Sequence, residues 1–215
     1  MNINRREFVA SSVGALLAAQ SGITAIAKRP TPGGYRAVLF DAFAIFDPRA
    51  VLALAQRLDS EKGAMLVQAW RSRQFEYQWL RTLGGRYVDF WQATEDSLTF
   101  AAREIGISLT NPMREHLMGA YSNLEVWPDA TEVLPKLQHL GLKLGLLSNM
   151  TEAMLESGLA RANLRGLFSH VLSTDRIRSY KPARQAYQLG VDALGLERDE
   201  ILFVPLEVAP IPETG

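Results

Sequence analysis

The feature that most limits the fold is an interrupted alternation of strand and helix patterns. One short apolar run, Tyr35 to Phe40, lies between the Gly33 and Gly34 pair and Asp41 and reads as a buried strand. A purely helical stretch follows. Strands return only after Trp127 and Pro128, at 142–147, 170–173 and 201–204, with a helical pattern between each. Short apolar strands alternating with helices build a parallel sheet covered on both faces, so the expected class is α/β, a doubly wound, Rossmann-like core. The helical block between the first and second strands is then an inserted cap. This divides the chain into an N-terminal segment 1–27, a core made of 28–47 and 126–215, and a cap of 48–125.

Within the cap, a helix over 63–83 places Leu66, Trp70, Tyr77 and Leu80 on one stripe and stops at Gly84 and Gly85. A second helix, 88–105, carries Trp91, Leu98, Ala102 and Ile105 on one face and ends at Gly106. A third starts with Asn111 as N-cap and Pro112 as first helical residue, and runs to 123. In the core, Asp129 caps a helix to 140 that contains Pro135, Thr151 caps the next, and Pro182 to Leu194 forms another, closed by Gly195.

Residues 1–27 differ from the rest. Arg5 and Arg6 precede an apolar run from Phe8 to Ala19 and then Ala25-Ile26-Ala27, the layout of an export signal with a small-residue cleavage site. The paired arginines followed by Glu7, Phe8 and Val9 resemble the twin-arginine signal, which implies the twin-arginine export machinery as a partner and a periplasmic mature chain starting near Lys28. The formal net charge is zero with interspersed signs, so no broad basic face for nucleic acid is expected. The chain has no cysteine, which removes disulfides, thiolate metal sites and cysteine nucleophiles. His116, His139 and His170 are far apart in sequence and have no metal-ligand spacing.

In an open parallel sheet, ligands bind at the carboxyl ends of the strands. Three polar signals fall at or beyond such ends: Asp41 after VLF, Ser148 with Asn149 after LGLL, and Lys181 in SYKPARQAY. Each alone is ordinary turn or helix-start chemistry. In this order on this scaffold they are specific, and the sequence resembles the haloacid dehalogenase superfamily, in particular the type II L-2-haloacid dehalogenases. The resemblance runs from about Tyr35 to Val204 and includes the cap stretch WRSRQFEYQWLRTLGGRYVDFWQATEDSL.

The resemblance implies a hydrolase of L-2-haloacids that needs no metal or other cofactor. Asp41 would be the nucleophile, forming an ester that water hydrolyses to the 2-hydroxyacid. Arg71 would lie near the departing halide or the substrate carboxylate. Ser148 would bond that carboxylate with Asn149 beside it, and Lys181 would hold Asp41 ionised. Tyr187 would be a further active-site residue, and Phe43, Phe75 and Phe90 would wall the alkyl group. A homodimer is the expected assembly by the same resemblance. Phosphatases of the superfamily need a second aspartate two residues after the nucleophile to protonate a leaving oxygen. Here that residue is Phe43, which suits a halide that leaves without a proton.

Two departures stand beside the resemblance. The nucleophile loop of the family reads D-x-x-G-T-L-F-D, whereas DAFAIFD is one residue shorter and lacks the glycine and threonine. After ILFV the family continues with a serine-rich S-S-N-x-W-D loop, whereas this chain reads PLEVAPIPETG with Glu207 as the nearby acid. A switch of this kind at a strand end is expected of a frameshift or a truncated gene. It keeps open a second reading, a non-catalytic remnant or binding scaffold.

Overall fold

The computed structural model describes residues 34–205; the export segment at 1–27 and the divergent segment 206–215 lie outside the described residues. The chain order is β1 (Ala37–Phe40), α1 (Ala42–Ile45), β2 (Phe46–Asp47), α2 (Arg49–Leu58), α3 (Gly63–Leu83), α4 (Phe90–Glu104), α5 (Asn111–Ser122) and β3 (Glu125–Val126). It continues with α6 (Ala130–His139), β4 (Lys143–Ser148), α7 (Glu152–Arg161), β5 (His170–Ser173), α8 (Arg184–Leu194) and β6 (Ile201–Val204). Four strands form one parallel sheet in the order β5-β4-β1-β6.

The register fixes where chemistry can occur. Phe40 pairs with Leu146 and Val204, and Ser148 pairs with Ser173, so all four carboxyl ends share one edge. The Asp41 N–H donates to Val204 O at 2.8 Å, extending the ladder one residue past β1. Both sheet faces are covered, which is why β1 is apolar throughout rather than alternating. Val38 and Phe40 join the larger core, while Ala37 and Leu39 pack with Leu147, Leu172, Leu194 and Leu196 on the other face. Gly145 makes room there: a Cβ on it would meet Leu39 Cδ2 at 2.7 Å.

The helical cap, α2 to α5, is inserted between β1 and β4. The chain leaves and re-enters the core through the antiparallel pair β2–β3, in which Phe46 faces Val126 and Asp47 faces Glu125. Inside the cap, Tyr121 is ringed by Trp70 at 5.2 Å, Phe90 at 6.1 Å and, from the core side, Phe43 at 6.5 Å between ring centres. Trp70 is fully buried, and its indole N–H donates to Thr94 O at 2.7 Å.

The elements fall where the patterns place them, with instructive differences. In α3 the buried line is Leu66, Trp70, Gln74 and Gln78, a strict four-residue step; Leu80 is 64% exposed and Tyr77 only partly covered. Apolarity alone points to Tyr77 and Leu80, but the two glutamines can be buried because each finds a partner. Trp91 in α4 and Ile105 at its C-cap are only partly covered, while Phe90, Ala93, Ser97 and Ala101 fill the inner face beside Leu98 and Ala102. Thr110, not Asn111, caps α5: its hydroxyl accepts from the Met113 N–H, leaving Asn111 and Pro112 inside the first turn. The Asp129 side chain does not cap α6. Helix α8 starts at Arg184 rather than Pro182, because the Ala183 N–H turns back to Tyr180 O at 2.9 Å. Strand β1 begins at Ala37 rather than Tyr35, and β4 is shifted one residue on, to 143–148.

Candidate active site

Asp41 ends β1 and caps the single turn α1, so its backbone is still extended while the next residues coil. Its Oδ1 accepts from the Phe43 N–H at 2.9 Å, and its Oδ2 accepts from Lys181 Nζ. The shortened loop therefore supports the carboxylate without a threonine: one oxygen is held by backbone, the other by a cation. Both side chains are largely covered, at 15% exposure for Asp41 and 10% for Lys181.

Lys181 is itself held on three sides. Its ammonium also donates to Leu147 O at 2.9 Å, at the end of β4. Its backbone N–H donates to Asn149 Oδ1 at 2.8 Å, and its carbonyl accepts from the Trp79 indole at 3.3 Å. The Lys181–Pro182 peptide is cis. Ser148, 2% exposed, accepts from the Met150 N–H at 3.1 Å, which fixes its hydroxyl oxygen at the strand end.

These groups border a cavity of about 240 Å³ between the sheet edge and the cap. Of the residues expected from sequence, Asp41, Ser148, Asn149, Lys181, Tyr187, Phe43, Phe75 and Phe90 all line it. Arg71 does not; it lines an adjoining cavity of about 110 Å³ that shares Phe43, Gln74 and Phe75 with the first. Asn149 lies at the pocket, but its side chain is committed to protein: Oδ1 to Lys181 and Thr174, Nδ2 to Gln78 Oε1 at 2.9 Å. Tyr187 is half-exposed, packs edge-on against Phe203, and has its phenol pKa raised first by burial and then by the Asp41 charge.

The cap side of the pocket holds residues that motif reading misses. Gln74 and Gln78 are 4% and 1% exposed, and Trp79 lines the same cavity from the rim. Gln74 donates to Thr94 Oγ1. The signal was available in the four-residue step from Leu66 through Trp70, which reaches Gln74 and Gln78 one and two turns on. Phe203 and Pro205 close the wall from β6 and the residues after it.

Two further contacts hold cap to core. The Tyr87 hydroxyl donates to Asp175 at 2.8 Å, and the Tyr180 hydroxyl donates to Val88 O at 2.7 Å. Burial pushes both phenols well above the usual tyrosine range. Among the described residues, no group of three or more His, Asp or Glu side chains is placed to hold a metal ion.

A paired carboxylate and ammonium under an apolar wall can deliver an oxygen nucleophile to an uncharged carbon. The family model for haloacid dehalogenase-like hydrolases matches residues 35–204. The (S)-2-haloacid dehalogenase of Pseudomonas sp. (strain YL) is 38% identical over 170 residues, spanning 79% of this chain and 73% of that protein. Among solved structures, the L-2-haloacid dehalogenase RSc1362 is similar with a TM-score of 0.78 and 41% identity, covering 80% of this chain and 78% of that one. The L-2-haloacid dehalogenase from Xanthobacter autotrophicus with chloropropionic acid covalently bound gives a TM-score of 0.69 at 35% identity, covering 79% and 69%.

Proposed function

The chain belongs to the haloacid dehalogenase-like hydrolases, and on that premise we propose that it hydrolyses L-2-haloacids through an ester on Asp41, without a metal ion. The observation that carries the reading is the Asp41 carboxylate, tied to the Phe43 N–H and Lys181 Nζ at the floor of a pocket walled by Phe43, Phe75 and Phe90. A carboxylate oxygen attacks C2 of the haloacid, the carbon–halogen bond breaks with its electron pair on the halide, and an aspartyl ester forms. Water then adds to the ester carbonyl, returning the carboxylate and releasing the 2-hydroxyacid of inverted configuration and one proton. The halide departs as a stable anion, so the apolar Phe43 two residues after the nucleophile costs nothing in this reaction. A relative whose structure carries covalently bound chloropropionic acid supports a covalent path.

The neighbouring residues take roles by chemistry. Lys181 keeps Asp41 ionised and aimed, since an adjacent cation favours the charged form. Ser148, with its oxygen already accepting from Met150, has its own proton to offer the substrate carboxylate. Arg71, beside the adjoining cavity, would attract the departing halide.

The test is halide release from L-2-chloropropionate by the purified chain with no metal added. Turnover is expected, and Asp41→Asn, which keeps an oxygen for the Phe43 N–H, should slow it at least about 10⁴-fold. The second reading, a non-catalytic scaffold, draws on the divergent residues 206–215, where the family's Asn and Asp are replaced. Chloride released once per chain and no further would mark a trapped ester; none at all would favour the scaffold. Export through residues 1–27 is a separate proposal, and an Arg5→Lys/Arg6→Lys variant reaching the periplasm undiminished would refute it.

A further inference from the structure

Gln78 holds a polar group that the chemistry above leaves unused. It is 1% exposed in α3 and lines the same cavity as Asp41 and Ser148. Its orientation follows from a chain of donors. The Lys181 backbone N–H can only donate, so Asn149 must present Oδ1 to it, at 2.8 Å. That turns Asn149 Nδ2 toward Gln78, which must answer with Oε1, at 2.9 Å. Gln78 Nε2 therefore carries two N–H groups with no hydrogen-bond partner among the described residues. The amide is not free to flip, because flipping would set two NH₂ groups face to face.

The pocket's charges explain why a neutral donor is useful here. The Lys181 ammonium is committed to Asp41 and to Leu147 O, and Arg71 lines the adjoining cavity. A second free cation beside Asp41 would compete for the nucleophile, whereas an amide N–H can bond an anionic substrate without pairing with Asp41. We propose that Gln78 Nε2 donates to the carboxylate of the bound 2-haloacid, so that the cap contributes a carboxylate-recognising contact facing the one from Ser148. This rests on the dehalogenase reading of the site. It also makes recognition depend on the cap, because the same side chain holds Asn149 and so the backbone of Lys181.

The experiment measures chloride release from L-2-chloropropionate by the full chain and by Gln78→Glu and Gln78→Met. Glu keeps an oxygen for Asn149 but replaces the donor with an anion, so KM should rise about ten-fold or more while kcat stays within about three-fold. Met removes both bonds, so KM should rise by about ten-fold and kcat should fall as well. An unchanged KM in folded Gln78→Glu overturns the inference; if that variant does not fold, an unchanged KM in Gln78→Met does so. If the unmutated chain releases no chloride, the dehalogenase reading fails on its own. Gln78 is then judged by calorimetric binding of propionate. Binding that Gln78→Glu weakens about ten-fold upholds the carboxylate contact, and binding that is absent or unchanged ends it.

Discussion

On the core side of the pocket, Asp41 follows β1 and Ser148 ends β4, and the Lys181 ammonium donates to Asp41 Oδ2 and Leu147 O. On the cap side, Gln74, Gln78 and Trp79 project from the middle of a 21-residue helix. The core wall is charged and held by short backbone geometry; the cap wall is neutral, and its positions depend on how α3 packs. On the proposed reading the core side supplies the nucleophile and its cation, while the cap side shapes the pocket, recognises the substrate and, through Arg71, faces the departing halide. Losing the first should abolish chemistry with the fold intact, and loosening the second should cost stability and binding.

The contrast can be broken most strongly at Trp70. Trp70→Ala empties a fully buried site under α3 and removes the bond to Thr94 O, so urea unfolding should show a loss of about 3–5 kcal/mol. A loss below about 1 kcal/mol would mean that the cap wall is not held by this packing. Lys181→Met is the matching change in the core: single-turnover chloride release should fall about 10²–10³-fold, with a smaller shift in melting temperature than Trp70→Ala gives. Equal effects of the two variants on rate would erase the distinction.

Alkaline pH probes the cap's neutral interior. Tyr121 is buried, and its phenol pKa is pushed up to about 12, burial outweighing the opposing Arg71 charge and Gln74 bond. A raised pKa means the folded chain keeps a proton that the unfolded chain has lost. Its stabilisation is complete below the unfolded pKa near 10 and disappears as pH rises through the folded value. From this group alone, unfolding titrations should show stability falling on the order of 2–3 kcal/mol between pH 10 and 12, and Tyr121→Phe should remove that share of the slope while the share from Tyr87 and Tyr180 stays. The smallest effect is expected at the seam. Tyr87→Phe removes the bond to Asp175 and should cost about 1 kcal/mol of stability, with KM affected more than kcat if the seam positions the cap.

The sequence alone was enough for the α/β class, the inserted helical block, most strand positions, and the three polar signals at strand ends. Each follows from local rules: apolar runs bounded by turn residues, and parallel strands whose ends must share one edge. Asp41 and Ser148 were readable because the strands deliver them to that edge; Lys181, in the segment after β5, was readable only as part of the motif order, and the bonds of its backbone to Asn149 and Trp79 and of its ammonium to Leu147 O bring it there.

The tertiary structure decided the rest. Tyr77 and Leu80 have the right chemistry for a buried stripe, yet Gln74 and Gln78 are buried instead, because Thr94 of the neighbouring cap helix and Asn149 of the core meet their amides. No local pattern contains the partner that makes burying an amide affordable. The same holds for Asn149, whose position the sequence marks but whose bonds go to Gln78 in the cap and to Thr174 and Lys181 in the segment after β5. Where a residue lies along the chain is set by short-range geometry; which atoms it must satisfy is set only when distant elements pack.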